Sequence, residues 1–459
     1  MKIQVKELGA IKKAVIDLDK PLTLFCGQNN TGKTYLAFII FALTKDKIGR
    51  SPLKIDIAQL IDTGYFIFEI DPQQIFEIKK KTISNIKPNL DTIFGISEEV
   101  AKQMFSNFEI SFDITPENSL EKILNIEVDE NFSIGQLKFN LSKQKNSLDI
   151  KVAIIEGLDY QSVLKSDLFD ILLPSFIINR IAYYPISNAV IFPVERNSIF
   201  TFSRELSISR NILVEQMQTF SKGEKINPFD FLEKSSNRYP LAIREGLLVS
   251  NDLQNIQKTK SDFFDIASEI EEKLLNGSLL ITKEGDVQFV SAKNKGRKLP
   301  IHMTASIVKT MSSLVFYLKY RAVKGDLIII DEPEMNLHPD SQIILTRVFA
   351  KLLSKGFRLL ISTHSDYIIR EFNNLIMTSS NKEEVKKLVN DFSYDINDAI
   401  LPSDVGCYYF HFASPTAKQV TVKELVVDEN GFEIESIDRE INAQNERAMS
   451  LNYAINNED

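Results

Sequence analysis

Tryptophan is absent from the 459 residues, and cysteine occurs only at Cys26 and Cys407. Two thiols cannot build a disulfide framework, so a small stapled secreted fold is excluded and a reduced, cytoplasmic setting is expected. Glycine is also scarce. The 17 present are roughly half the usual share, so glycines at fixed spacing carry information. The chain has no run of about 18 apolar residues, the minimum for a spanning helix. The richest stretch, 168–186, is broken by Asp170, Pro174, Asn179, Arg180 and Pro185. The first residues alternate charged and apolar, unlike a signal peptide. A membrane protein is therefore not expected. The formal net charge of −8 argues against a dedicated DNA-coating protein, while leaving room for a local basic groove.

What is present is ordinary globular material. Hydrophobic residues make up 44% and charged residues 25%, which excludes a disordered chain, a collagen-like fibre and a coiled-coil rod. With 31 phenylalanines and no tryptophan, the core must be filled by Phe, Leu and Ile. The length allows about two to four domains, or one core carrying large insertions.

Patterning favours the second arrangement. Segments 3–5, 14–18 and 22–26 read as strands, and 34–44 as a helix. The pattern changes over 55–180, where helix-like stretches (57–63, 72–87, 97–106) precede alternating ones near 108–114, 135–141 and 148–155. A buried strand is expected at 188–194, a helix over 197–220 and helical, charged chain over 225–275. A hairpin is expected from 278–281 and 287–291 around Glu284-Gly285-Asp286. Helix 304–320, strand 327–330, helix 339–353 and strand 357–361 follow. Short, fully apolar strands joined by a helix suit a parallel sheet covered on both faces. Strands near 407–411 and 420–427 and a polar helix end the chain. The expected division is an N-terminal part of the core (1–54), a mixed α+β insertion (55–180), a strand, helical lobe and hairpin (181–300), and a C-terminal part of the core (301–459).

Two of the rare glycines frame a complete G-x-x-x-x-G-K-[ST] pattern: Gly27, Gln28, Asn29, Asn30, Thr31, Gly32, Lys33 and Thr34. Gly27 and Gly32 let the backbone turn so that successive N–H groups face phosphate oxygens. The start of the next helix adds positive field. Lys33 carries a full charge to the β and γ phosphates of ATP, and the Thr34 hydroxyl suits Mg2+. The loop follows a strand and opens a helix, as the pattern requires.

Strand 327–330 delivers Asp331 and Glu332, where ligands bind parallel sheets. Phosphoryl transfer needs positioning and charge neutralisation. Asp331 is thus the expected holder of Mg2+, and Glu332 the residue that orients and polarises the attacking water. His364 ends the next strand, inside Ser-Thr-His-Ser, where it can reach a γ-phosphate. His302 and His411 receive no role. No His or Cys pair has metal-site spacing, so zinc is not indicated.

Taken together, the chain resembles an ABC-type ATPase of the SMC, RecF and OLD (overcoming lysogenization defect) lineage. The loop at 27–34, Ile330-Asp331-Glu332-Pro333-Glu334, Asn336-Leu337-His338-Pro339 and Ser362-Thr363-His364-Ser365 occur in that family's order. The likeness spans roughly 1–45 and 300–375. It extends more weakly to Pro193-Val194-Glu195-Arg196 and to the tail 405–459, both similar to members from defence islands. The resemblance implies an ABC-type α/β P-loop core, a mixed sheet with flanking helices. It also implies a dimer, or a higher homo-oligomer, that sandwiches ATP between one chain's loop and the other's signature segment. Here that segment is Thr304–Lys309. Ser306 matches the family serine, whereas Ile307 stands where glycine is expected. Asn336–Pro339 would cross the dimer interface. Many OLD relatives carry a Toprim nuclease after the ATPase, and its motifs are not evident after His364. The implied role is control of a separate effector, a nuclease or toxin, in anti-phage systems similar to Septu or PARIS. Two alternatives stay open. One is a RecF-like DNA-maintenance ATPase, using the basic turn of Lys293, Lys295, Arg297 and Lys298. The other is a non-catalytic ATP switch or scaffold.

Overall fold

The structure is a computed structural model that describes residues 1–45, 57–113, 115–134, 137–156, 169–201, 239–294, 296–414 and 416–456. Three strands open the chain: β1 (Lys2–Leu8), β2 (Ile11–Asp17) and β3 (Leu22–Gly27). The next segment holds β4 (Tyr65–Glu69), β5 (Glu109–Phe112), β6 (Val128–Ile134), β7 (Leu137–Lys143) and β8 (Asp149–Glu156). Then come β9 (Ala189–Phe192), β10 (Gly277–Ile281), β11 (Val287–Ser291) and β12 (Lys298–Pro300). The last four are β13 (Leu327–Asp331), β14 (Arg358–Thr363), β15 (Val405–Phe412) and β16 (Val420–Leu425).

Nine of these form one mixed sheet in the order β5-β1-β2-β16-β15-β3-β14-β13-β9. From β15 to β9 all neighbours are parallel, while the β1–β2, β1–β5 and β15–β16 pairs are antiparallel. The chemistry of the central strands explains their place. Every residue of β3, β13 and β14 is buried, as apolar strands covered on both faces require. The period of two divides each strand between two layers. Leu327 and Ile329 join one hydrophobic cluster, with the helix Lys33–Thr44 and the helices of 72–182. Ile328 and Ile330 join the other, with Ser306–Tyr320, Pro339–Ser354 and Asp366–Met377. The α/β core expected from the sequence, a mixed sheet with flanking helices, is the fold found.

The segment between β3 and β9 adds a four-stranded sheet, β4-β8-β7-β6. Its helices are locally specified. Asp71 caps Pro72–Ile86 by accepting from Gln73 N–H at 2.9 Å, with proline in the first turn. Thr115 and Asn118 form a capping box on Pro116–Leu124. The alternation near 108–114 is a true strand, but it belongs to the main sheet: β5 pairs with β1. The hairpin expected at 278–291 is present, and β12 extends it to three strands. Of the helix expected over 197–220, residues 196–201 are helical and the rest lies outside the described residues. Among the described residues, no helix is long and apolar enough to cross a membrane.

Candidate functional site

Parallel pairing assembles the site. Thr363 of β14 lies opposite Cys26 of β3, and Ser362 lies opposite Asp331 of β13. The phosphate-loop strand and the acidic strand are thus separated by one strand and end at the same edge.

The loop's glycines answer two demands at once. Gly27 has φ 135, and a Cβ there would lie 2.1 Å from the Phe410 carbonyl oxygen. Gly32 has φ 87 and precedes the helix Lys33–Thr44, whose start no side chain caps. Those N–H groups remain available to an anion. Thr31 is buried and donates to Gln28 O at 2.7 Å, which holds the loop's shape. Gln28, Asn29 and Asn30 are exposed around it. Lys33 is buried, and its ammonium donates to Gly27 O at 2.9 Å and Gln28 O at 2.7 Å. Burial pushes this ammonium down from its ordinary value, against the pull of Cys26, Asp331, Glu332 and Glu334.

The decisive contact lies across the sheet edge. Thr34 Oγ1 donates to Asp331 Oδ2 at 2.6 Å. Ser362 donates its hydroxyl to the other oxygen of Asp331, and the carboxylate is buried at 1% exposure. A hydroxyl and a carboxylate converging there form the hard-oxygen set that suits Mg2+. The residues present fit that ion. When bound, it would neutralise phosphate charge beside Lys33.

Glu332 and His364 stand next to this pair. Glu332 holds φ 47 and donates its N–H to Ser362 O at 2.9 Å. Its carboxyl is pushed above the usual range by burial, with Asp331 and Glu334 adding to the shift and His364 and Lys33 opposing it. His364 Nδ1 lies 3.2 Å from Glu334 Oε1 and 3.8 Å from Glu332 Oε1. With Nδ1 turned to these carboxylates, Nε2 is left for a phosphate oxygen.

Three supporting residues received no role from the sequence. Ser362 is one. Glu334 is another: its Oε1 accepts from Thr363 Oγ1 and His364 N–H, both at 2.8 Å. Its Oε2 is buried without a partner among the described residues. The third is Arg196, 1% exposed. It donates to Asp331 O at 2.6 Å, Glu332 O at 2.7 Å and Pro193 O at 3.0 Å. Burial pushes the guanidinium down to about 10, against the nearby carboxylates, so it is still cationic near neutral pH. Pro193-Val194-Glu195-Arg196 marked the place without showing the purpose. Arg196 fixes the backbone that aims both acidic side chains. A lysine ammonium is a compact point charge and cannot reproduce the planar fork that reaches the Pro193, Asp331 and Glu332 carbonyls together. Arg196→Lys is therefore expected to lower kcat for ATP about tenfold to hundredfold. KM for ATP should stay nearly unchanged. Equal losses in both parameters would contradict this positioning role.

No hydrogen bond joins Ser306 to the phosphate loop of its own chain. It is the exposed first residue of Ser306–Tyr320, with Ala305 at the cap position. Ile307 packs against the core, a use that a glycine could not serve. Asn336 donates to Thr310 Oγ1 at 3.2 Å, tying the 336–339 turn to the helix one turn beyond Ser306.

The AAA ATPase domain family matches residues 1–369. This chain belongs to that family. As an AAA ATPase domain it carries the loop, the acidic strand end and the histidine within the matched span. Solved structures with which it shares similarity include the SMC head domain from Thermotoga maritima. That head is 8% identical, with 92% of this chain and 98% of that one covered and a TM-score of 0.30. An SMC head bound to the C-winged helix domain of ScpA is 12% identical, with 93% and 98% covered and a TM-score of 0.33. A head with an extended coiled coil, from Pyrococcus furiosus, is 14% identical, with 96% and 98% covered and a TM-score of 0.33. No curated protein matches the chain.

Proposed function

We propose that this AAA ATPase domain hydrolyses ATP with Mg2+, that two copies close on the nucleotide, and that closure controls a separate effector in anti-phage defence. The observation that carries the catalytic part is the 2.6 Å bond from Thr34 to Asp331. It joins the phosphate loop to the acidic strand end, with Glu332 and His364 at its side. Lys33 and the loop N–H groups bind the phosphates. Thr34 and Asp331 hold the metal. Glu332 orients a water for attack on the γ-phosphorus and takes up its proton, while ADP leaves. His364, braced by Glu334, meets a γ-phosphate oxygen and so distinguishes ATP from ADP.

Closure of two copies is supported by what faces outward. Ser306 is exposed, and the His338 side chain in the neighbouring turn is 74% exposed. The defence setting and the effector rest on the resemblance of residues 193–196 and 405–459 to defence-island members. Addition of ATP and Mg2+ to the Glu332→Gln chain is expected to double its mass in light scattering. Ser306→Arg in that background should abolish the doubling and leave ATP binding intact. Undiminished doubling would remove Ser306 from the interface.

The DNA-maintenance reading draws on the exposed Lys293 and Arg297 between β11 and β12 and on Lys298 at the start of β12. Lys295 lies outside the described residues. DNA affinity that falls steeply with salt would favour that reading.

A further inference from the structure

Away from the phosphate loop, a lysine interrupts an apolar stripe. The buried face of Pro72–Ile86 reads Ile75, Lys79, Thr82 and Ile86. Helical spacing puts Lys79 where a hydrophobic residue would pack, and the residue is only 8% exposed. Thr82 is satisfied, since it accepts from Tyr183 Oη at 2.7 Å. Among the described residues, no hydrogen bond or ion pair reaches the Lys79 ammonium. Burial, together with repulsion from Lys122 and against the pull of Asp19, brings that ammonium down to about 8, so it is mainly charged near neutral pH. An unpaired buried charge is costly.

Lys79 lines a cavity of about 300 Å3 beside the turn that leads into β3. Ser119 and Lys122, three residues apart on Pro116–Leu124, line it as well. Ser119 is 1% exposed, and among the described residues its hydroxyl has no partner. Lys122 donates one proton to Asp113 O at 2.6 Å, leaving two more. The acidic lining residue, Asp19, has its side chain 57% exposed and turned to the Met1 amino group. Beside the Met1 amino group that Asp19 holds, the site presents the Lys79 and Lys122 ammonium groups and a buried hydroxyl, and among the described residues no carboxylate is bonded to either lysine. Tyr184 and Ile181 form apolar wall.

We propose that this cavity binds the phosphate group of a small molecule, at a site separate from the ATP site. Lys79, Lys122 and Ser119 would donate to its oxygens. A tetrahedral dianion has enough acceptors to satisfy all three donors at once. The volume is at the lower end of small-molecule pockets, so it leaves room beyond the phosphate for the remainder of a phosphomonoester against Ile181 and Tyr184.

The test uses the full chain carrying Lys33→Ala, so that the phosphate loop does not contribute. Inorganic phosphate is expected to raise its melting temperature by about 2–4 °C near saturation. Adding Lys79→Met should abolish that rise. It should also raise the melting temperature without phosphate, because an apolar group replaces an unpaired charge. A general loss of folding cannot produce these opposite signs. Lys122→Gln, at a half-buried position, should weaken the phosphate response several-fold and serves if Lys79→Met fails to fold. AMP titrated in parallel separates the sources. A response at lower concentration than phosphate identifies a phosphomonoester, and a response to phosphate alone identifies the free ion. No response in the Lys33→Ala chain, or an equal response with Lys79→Met or Lys122→Gln, overturns the proposal.

Discussion

Glu332→Gln is expected to stop ATP turnover while leaving ATP bound. The amide keeps the shape of the side chain and loses the charge that polarises water. Loss of a positioned general base lowers rates by about 10²–10⁴-fold. The wild-type residue also predicts a pH dependence. Burial holds the Glu332 carboxyl above its usual range, and Asp331 and Glu334 add to the shift. Falling pH should therefore protonate it earlier than an ordinary glutamate, which titrates near about 4.3. The acid limb of kcat/KM, which reports the free enzyme, is displaced upward accordingly. The stability effect has the opposite sense. Between the ordinary and the raised value, the folded state holds more protons than the unfolded one. This residue's contribution to stability is thus fully present below the ordinary value and lost as pH rises through the raised one. Near neutral pH, Glu332→Gln should melt no lower than wild type. Single-turnover phosphate release and a melting series across pH check both statements. Persistent turnover would assign water activation to another group.

Lys33→Ala is expected to weaken ATP binding about 100-fold or more. Charge-assisted hydrogen bonds contribute about 1.5–3 kcal/mol each, and each 1.4 kcal/mol is about tenfold in affinity. Two such bonds account for the loss. The ammonium now sits on Gly27 O and Gln28 O, so phosphate oxygens would replace neutral carbonyls as its partners. Alanine is a good residue for the first turn of a helix. The Gly27 and Gln28 carbonyls both lose this donor; Gln28 is exposed, and the space the lysine side chain vacates lets water reach them. Folding should survive. Equilibrium binding, with melting temperature as the control, decides the matter. Affinity within threefold of wild type would contradict the placement of Lys33 on the phosphates. The two variants together address the switch or scaffold alternative: a non-catalytic switch would lose binding with Lys33→Ala, but would show no turnover for Glu332→Gln to remove.

The centre of the fold was legible because its physics is local. Fully apolar β13 and β14, a helix of period 3.6 between them and a loop framed by two scarce glycines each carry their own signal. The intervening segment was less legible. Tyr65–Glu69, directly after the helix Ile57–Thr63, is not among the elements expected from the sequence. Val128–Ile134 carries Asp129, Glu130 and Asn131, which hide a strand. Glu130 is accommodated there by Arg180, which donates to it from the helix Phe169–Ala182. β5 alternates as a strand should, but no periodicity says that its partner is β1. At the site, Asp331, Glu332 and His364 announced themselves at strand ends. Arg196 works through backbone carbonyls more than 130 residues away, a contact that only the pairing of β9 with β13 creates.

The loop at 27–34 and the strand end at 331–332 are proposed to form one metal-dependent ATP-hydrolysing site. Phosphate release from ATP by the full chain, with Mg2+ and then with a chelator, tests it most directly. Release is expected with Mg2+ and should stop when the metal is removed. Release unchanged by the chelator, or none while ATP and Mg2+ are bound, would contradict it.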